Sequence, residues 1–115
     1  WHSFSAPVDN QTANALYLGG SPDVWMKSYN EDDNTYTYAT SLSTDLGDMK
    51  GWMIWVDGST PQTFTFSGPA RSGTVGSANN LVRSATGSDY GYNFVGNPFT
   101  SAIDWDATTG WTKTD

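Results

Sequence analysis

The chain of 115 residues contains no cysteine, which excludes disulfide bonds, zinc–thiolate sites and thiol catalysis. It has five basic residues against twelve acidic ones and a net charge of −7. Duplex nucleic acid and anionic membrane surfaces both require clustered Lys and Arg, so neither is an expected partner. No apolar run approaches the roughly 18–20 residues of a membrane span. The sequence therefore predicts a domain that folds by packing alone, without nucleic acid or membrane insertion.

Catalytic signatures are also scarce. His2 is the only histidine and Glu31 the only glutamate, which leaves little from which to build a Ser-His-Asp set or a glycosidase carboxylate pair. The Gly-x-Ser-x-Gly nucleophile elbow is absent. Because the other acidic residues are all aspartates, close Asp pairs are expected by chance. We therefore predict that the chain is not an enzyme and has no cofactor, calcium being the one candidate.

Aromatic and hydroxyl-bearing side chains, in contrast, are abundant. Aromatic residues make up 15% of the chain, with six Trp, and charged residues also make up 15%. Ordinary globular domains carry about 25% charged residues. Acidic, charge-poor, hydroxyl-rich surfaces suit extracellular β-proteins, so we predict a secreted or cell-surface protein. The length corresponds to about one domain.

The chain reads as short strands separated by turn signals. Val24–Tyr29 and Thr35–Ala39 flank the Asx-rich residues 30–34, which predicts a hairpin. Several strands at this spacing, without long helical segments, predict an all-β antiparallel sandwich (jelly-roll or immunoglobulin-like) of roughly seven to nine strands. The other predicted strands are Trp1–Ala6, Trp52–Val56 in a hairpin with Gln62–Ser67, Gly73–Val75, Leu81–Ser84 and Tyr92–Val95.

One short helical turn is expected near the start of the chain. Asp9 and Asn10 would cap it, Ala13–Tyr17 would form it, and Gly19-Gly20 would end it.

A sequence pattern recurs about 90 positions apart. Ser5-Ala6-Pro7-Val8 near the start is matched by Gly96-Asn97-Pro98-Phe99, each after alternating aromatic and apolar residues. We therefore predict a first β-repeat over residues 1–90. Residues 91–115 would be the opening strand and loop of a second repeat that packs on the first, in a chain that belongs to a longer modular protein.

These motifs resemble the repeated β-domains of large secreted and cell-surface proteins of Bacteroidota, often exported by type IX secretion. The resemblance covers nearly the whole chain, and Gly96-Asn97-Pro98 with Asp104-Trp105 is its most specific part. It implies a secreted, modular β-architecture and brings no catalytic residues with it. The segments that carry it, in order, are Trp1–Val8, Val24–Tyr29, Lys50–Val56, Phe64–Gly68, Tyr92–Phe99 and Ile103–Trp105.

Aromatic residues on the strands are the first candidate binding site. In Trp52–Val56, period two places Trp52 and Ile54 on one face and Trp55 on the other, so one Trp would be buried and one exposed. If the first and third strands share an outer face, flat aromatic rings there would stack sugar rings. The alternative is that these residues are core and edge packing. The candidate ligand-binding residues are Trp25, Tyr29, Tyr36 and Trp55; Trp105 and Trp111 lie in the incomplete repeat.

The acidic residues of the predicted hairpin loop are the second candidate. Glu31, Asp32 and Asp33 offer several oxygen ligands of the kind that calcium prefers. The loop lacks the spacing of an EF-hand, and the alternative is turn chemistry together with solubility.

Two functions follow from these observations. The first is a non-catalytic structural or adhesive module of a secreted cell-surface protein, self-associating through exposed strand edges. The alternative is a carbohydrate-binding module that uses exposed Trp and Tyr faces, so the partner would be an extracellular glycan or another protein chain. Two or three aromatic rings lying coplanar on an exposed face would favour the carbohydrate-binding module, and a set buried in the core would favour the structural module.

Overall fold

A computed structural model describes residues 1–17, 23–58, 60–75, 81–83 and 91–109. These residues form an all-β fold built on one antiparallel four-stranded sheet, with one short 3-10 helix. The predicted all-β, antiparallel class is confirmed. The strands are β1 (His2–Phe4), β2 (Val24–Asn30), β3 (Thr35–Tyr38) and β4 (Trp52–Val56), with the 3-10 helix at Ala13–Leu16 and a sheet order of β1-β4-β2-β3.

β2 and β3 form the hairpin that the sequence predicts. Their register pairs Lys27 with Tyr38 and Tyr29 with Tyr36. The loop between them closes through Asn34, whose φ of 54° is a left-handed conformation that asparagine tolerates better than most residues. Local turn chemistry thus sets the register of this edge of the sheet.

β4 lies inside the sheet, between β1 and β2, and separates its two faces by strict alternation. Trp52 and Ile54 are buried, whereas Trp55 is exposed. The prediction from period two that one Trp is buried and one exposed is therefore confirmed. Trp52 also donates its indole N–H to the backbone oxygen of Leu46 at 2.8 Å, which satisfies its one polar atom inside the core.

Residues that belong to no strand cover the inner face of the sheet. Phe64 and Phe66 pack against the core, and the Phe66 ring stacks on Phe4 with the ring centroids 6.2 Å apart. The buried core itself consists of Ala6, Ala13, Leu16, Met26, Leu46, Trp52 and Ile54.

Several predicted strands are not formed. Residues 62–67 keep alternating exposure but pair with no strand, so the hairpin predicted with β4 is wrong. Residues 92–95 contribute one bridge, Val95 to Lys50, and residues 73–75 form no strand. Alternation specifies which side chains face inward, and it does not supply a partner for the backbone. The part of the chain that the structure describes has four strands and no second sheet, so the sandwich stays a prediction.

The helical turn forms as a 3-10 helix, with a different cap from the one predicted. Thr12 occupies the N-cap position and makes no side-chain cap hydrogen bond. Asp9 instead forms an ion pair with Arg71, whose guanidinium also contacts Asp48 at 2.6 Å. A long-range ion pair has displaced the local capping interaction, and the predicted stop at Gly19-Gly20 lies outside the described residues.

Residues 91–99 pack directly on the first part of the chain. The backbone N–H of Gly51 donates to the backbone oxygen of Phe94 at 2.9 Å, and the backbone N–H of Gly96 donates to the backbone oxygen of Met49 at 2.7 Å. The Ser5 hydroxyl donates to the backbone oxygen of Asn97 at 2.7 Å. The two segments with the recurring sequence pattern are therefore in contact. The predicted repeat boundary falls directly after residue 90. Residues 84–90, which include Ser84 of one predicted strand, lie outside the described residues.

Candidate functional site

The outer face of the sheet carries a group of aromatic side chains around one lysine. In an antiparallel sheet, directly opposed residues share a face. Trp25 lies opposite Trp55, and Tyr29 lies opposite Tyr36, so the four residues predicted as a ligand-binding set are brought together on one face. Lys27 and Tyr38, opposed in the same register, and Trp1, which contacts the Trp55 ring, complete this group. We call these seven residues the aromatic face.

Most of the aromatic face is open to solvent. Trp25, Trp55 and Tyr36 are 44%, 43% and 49% exposed. They are therefore not part of the core, which lies on the opposite side of the sheet. Tyr29 is half-buried, and its hydroxyl donates to the side-chain oxygen of Asn34 in the hairpin loop. Exposed apolar patches of this kind mark interaction sites more often than scattered single residues do.

Lys27 lies between aromatic rings. Its Nζ is 4.4 Å from the centroid of Trp1 and 4.4 Å from that of Tyr36, with Tyr38 at 5.8 Å. Each such cation–π contact contributes about 0.5–1 kcal/mol at an exposed site. The ammonium therefore links β2 to the rings on either side and restrains their positions.

The rings of the aromatic face are inclined to one another. Trp1 and Trp55 have centroids 6.1 Å apart and planes at 52°. Tyr29 and Tyr36 have centroids 5.5 Å apart and planes at 64°, an edge-to-face contact. Trp1, Trp55 and Tyr36 are exposed rather than buried in the core, but neither ring pair is coplanar, so only the exposure expected of a carbohydrate-binding face is present. The surface they form is uneven rather than flat.

Three members of the aromatic face were missed by sequence reasoning, although the signal was present. Lys27 shares its face with Trp25 and Tyr29 by period two along β2, and Tyr38 shares its face with Tyr36 along β3. Trp1 precedes β1, and its place beside Trp55 depends on the pairing of β1 with β4, which no local pattern specifies.

The structure does not gather the three carboxylates predicted to bind calcium. Glu31 is buried and accepts a hydrogen bond from the backbone N–H of Gly91, whereas Asp32 and Asp33 are exposed. Asp33 accepts from the Thr35 hydroxyl at 2.8 Å, an interaction of ordinary turn chemistry. Among the described residues, no group of three or more His, Asp or Glu side chains is arranged to hold a metal ion.

The other aromatic and titratable candidates lie away from this face. Trp105 is exposed near the end of the described chain, and Trp111 lies outside the described residues. His2 is exposed on β1, opposite Ile54. Within the ranges that the structure describes, no helix is long and apolar enough to cross a membrane.

Comparison with known proteins gives no match: no family model, no curated protein and no solved structure matches the chain.

Proposed function

We propose that the chain is a non-catalytic glycan-binding module of a secreted or cell-surface protein, and that the aromatic face holds the glycan. The observation that carries the proposal is the exposure of Trp25, Trp55 and Tyr36 together on one side of a hydrogen-bonded sheet.

The physical basis is the match between sugar rings and aromatic rings. The axial C–H groups of a pyranose form an apolar surface that packs against an aromatic ring, while the hydroxyls stay in contact with water. Trp and Tyr provide large contact areas with few rotatable bonds, so little conformational entropy is lost on binding. The contact of Lys27 with Trp1 and Tyr36 adds further restraint before a ligand arrives.

The inclination of the rings bears on the kind of glycan. A flat crystalline polysaccharide would contact several rings at once only if those rings were coplanar. The planes of Trp1 and Trp55 differ by 52°, so a single glycan chain, which can turn its sugar rings relative to one another, fits the face better. We therefore expect soluble polysaccharides to bind more tightly than crystalline ones.

A glycan panel tests the proposal. Soluble and insoluble polysaccharides are titrated against the protein while tryptophan fluorescence is followed. We expect saturable quenching by at least one soluble glycan. Trp55→Ala should weaken binding about tenfold, since an aromatic stacking contact contributes about 0.5–1.5 kcal/mol in addition to the apolar area it buries. Trp105→Ala, which removes an exposed Trp outside the aromatic face, is the matched control and should bind normally.

Either of two results would overturn the proposal. One is the absence of binding across the whole panel. The other is equal loss of affinity in the Trp55→Ala and Trp105→Ala variants, since that would place the binding outside the aromatic face.

A second candidate function, structural or adhesive self-association, is supported by β3. This strand forms one edge of the sheet, and all four of its residues are exposed. Edge strands offer backbone groups to a strand from another chain. Light scattering across a concentration series would detect such association, and Thr37→Lys, which places a charge on the edge, should reduce it. A strict monomer at the highest concentration would contradict this candidate.

Export to the cell surface is part of the proposal and has separate support. The low charge, the many hydroxyl side chains and the resemblance to secreted modular β-domains all favour it. Locating the parent protein by cell fractionation and surface proteolysis would test it, and a purely cytoplasmic pool would contradict it.

A further inference from the structure

We propose that the aromatic face selects glycans that carry a carboxylate, as uronic acids do, and that Lys27 is the residue that determines this specificity. The inference rests on the proposed glycan-binding function and adds the chemical class of the ligand to it.

Lys27 lies at the centre of the aromatic face. Of the residues that the four strands place on the outer face, Lys27 is the one with a charged side chain, and it lies on a central strand of the sheet. Trp1 and Tyr36 lie on either side of its ammonium group at 4.4 Å. The ammonium covers one face of each of these rings, so a sugar that packs beside it on the aromatic face would have its substituents within reach of the ammonium.

The Lys27 ammonium has aromatic rings beside it and no carboxylate partner among the described residues. Lys27 forms no ion pair with a carboxylate in the described part of the chain, whereas Arg71 is paired with both Asp9 and Asp48. Aromatic faces attract an ammonium without accepting the strong, directed hydrogen bonds that its three N–H groups can donate. A ligand carboxylate would supply the missing acceptor in a charge-assisted hydrogen bond.

The acidic residues around the aromatic face limit the density of negative charge that a ligand can carry. Asp23 precedes β2, Asp57 follows β4, and Asp32 and Asp33 lie in the loop at the opposite end of β2, so acidic residues lie beyond both ends of the face. The whole chain carries a net charge of −7, which opposes non-specific attraction of any polyanion. A preference for a carboxylate must therefore arise from a local contact. Glycans with spaced uronic acids fit better than those with one on every sugar.

The experiment compares matched ligands that differ only in charge. Glucuronoxylan, alginate and polygalacturonate are each titrated in native form and after chemical reduction of their carboxylates to primary alcohols. We expect the native form of the best ligand to bind roughly tenfold more tightly than its reduced form, the effect of one charge-assisted hydrogen bond. Among the three, glucuronoxylan, with its spaced uronic acids, should bind best.

Variants at Lys27 then test whether this residue causes the preference for native over reduced glycans. Lys27→Met keeps an unbranched side chain without the charge, and it should bind native and reduced glycans equally. Lys27→Arg keeps the charge and the contact with aromatic rings, so it should retain the preference. A residue that only supported the sheet would change the affinity for both forms alike and leave their ratio unchanged.

The outcomes separate this inference from the proposed function. Equal binding of native and reduced glycans by the wild-type protein would overturn carboxylate selection and leave glycan binding intact, and this comparison needs no variant. Persistence of the preference in Lys27→Met would overturn the role of Lys27. Failure to bind any glycan, native, reduced or neutral, would overturn both proposals.

Discussion

Replacement of Gly96 by alanine tests how tightly residues 91–99 pack on the first part of the chain. A Cβ at Gly96 would lie 2.3 Å from the Cβ and 2.6 Å from the hydroxyl oxygen of Ser5. Unbonded carbon atoms normally approach to about 3.5–4.0 Å, so one segment must move by more than about 1 Å. The backbone of Gly96 is not in the left-handed region, so the expected cost is steric rather than conformational.

The expected loss of unfolding free energy in Gly96→Ala follows from this single contact. Insertion of a methyl group into packed structure typically costs about 1–3 kcal/mol. The conflict involves the rigid Cβ of Ser5, so we expect Gly96→Ala to lower the free energy of unfolding by about 2–3 kcal/mol. Ser5→Gly removes the conflicting atoms and also the hydrogen bond to Asn97, at a cost of about 1–2 kcal/mol.

A double-mutant cycle isolates the contact. Urea unfolding of the wild type, both single variants and the double variant, followed by tryptophan fluorescence, gives the four free energies. In the Ser5→Gly background, Gly96→Ala should cost less than about 1 kcal/mol, which corresponds to a coupling energy above about 1 kcal/mol. An equal cost of Gly96→Ala in both backgrounds would contradict the expected clash with Ser5, because it would mean that the two segments do not meet at this point.

Three further predictions concern the core, the buried ion pair and the hairpin loop. Trp52→Ala should lower the free energy of unfolding, measured in urea, by about 3–5 kcal/mol because it leaves a cavity in the core. Trp55→Ala on the opposite face should lower it by less than about 1 kcal/mol, and comparable losses in the two variants would contradict the assigned faces. Asp48→Asn should lower the free energy of unfolding by about 1–2 kcal/mol, because it weakens a hydrogen bond to the buried guanidinium of Arg71. Arg71→Met should cost about 1–3 kcal/mol, because it leaves two half-exposed carboxylates and takes a donor from the backbone oxygen of buried Val8; a loss above about 4 kcal/mol would contradict this. Calcium and chelator should leave the melting temperature unchanged, since the loop carboxylates are not gathered; a clear rise with calcium would restore the predicted calcium site.

The sequence predicted those parts of the fold that depend on local alternation. The exposed Trp55 and buried Trp52 follow from period two in one strand, and the β2–β3 hairpin follows from the Asx-rich loop and the β-rich runs beside it. Such signals need no knowledge of distant residues. They named Trp25, Tyr29, Tyr36 and Trp55 as candidates only on the condition that their strands share an outer face, and the pairing of β2 with β4 that meets this condition is a long-range contact.

The rest depends on contacts between distant parts of the chain. Residues 62–67 alternate as a strand would, yet in the structure Phe66 stacks on Phe4 without forming a backbone ladder. Asp9 is 62 positions from Arg71, and its carboxylate forms an ion pair with that residue rather than a helix cap. Trp1 joins the aromatic face only through the pairing of β1 with β4. Period and turn signals carry no information about such partners.

Whether the aromatic face is the binding site is tested directly by recording the indole N–H signals of the tryptophans by NMR, during titration with the glycan that binds best in the panel. We predict that the signals of Trp1, Trp25 and Trp55 shift saturably with a common dissociation constant, while those of buried Trp52 and of Trp105 stay in place. Shifts confined to Trp105, or no shift at any tryptophan of the aromatic face under saturating glycan, would contradict the proposal that this face is the binding site.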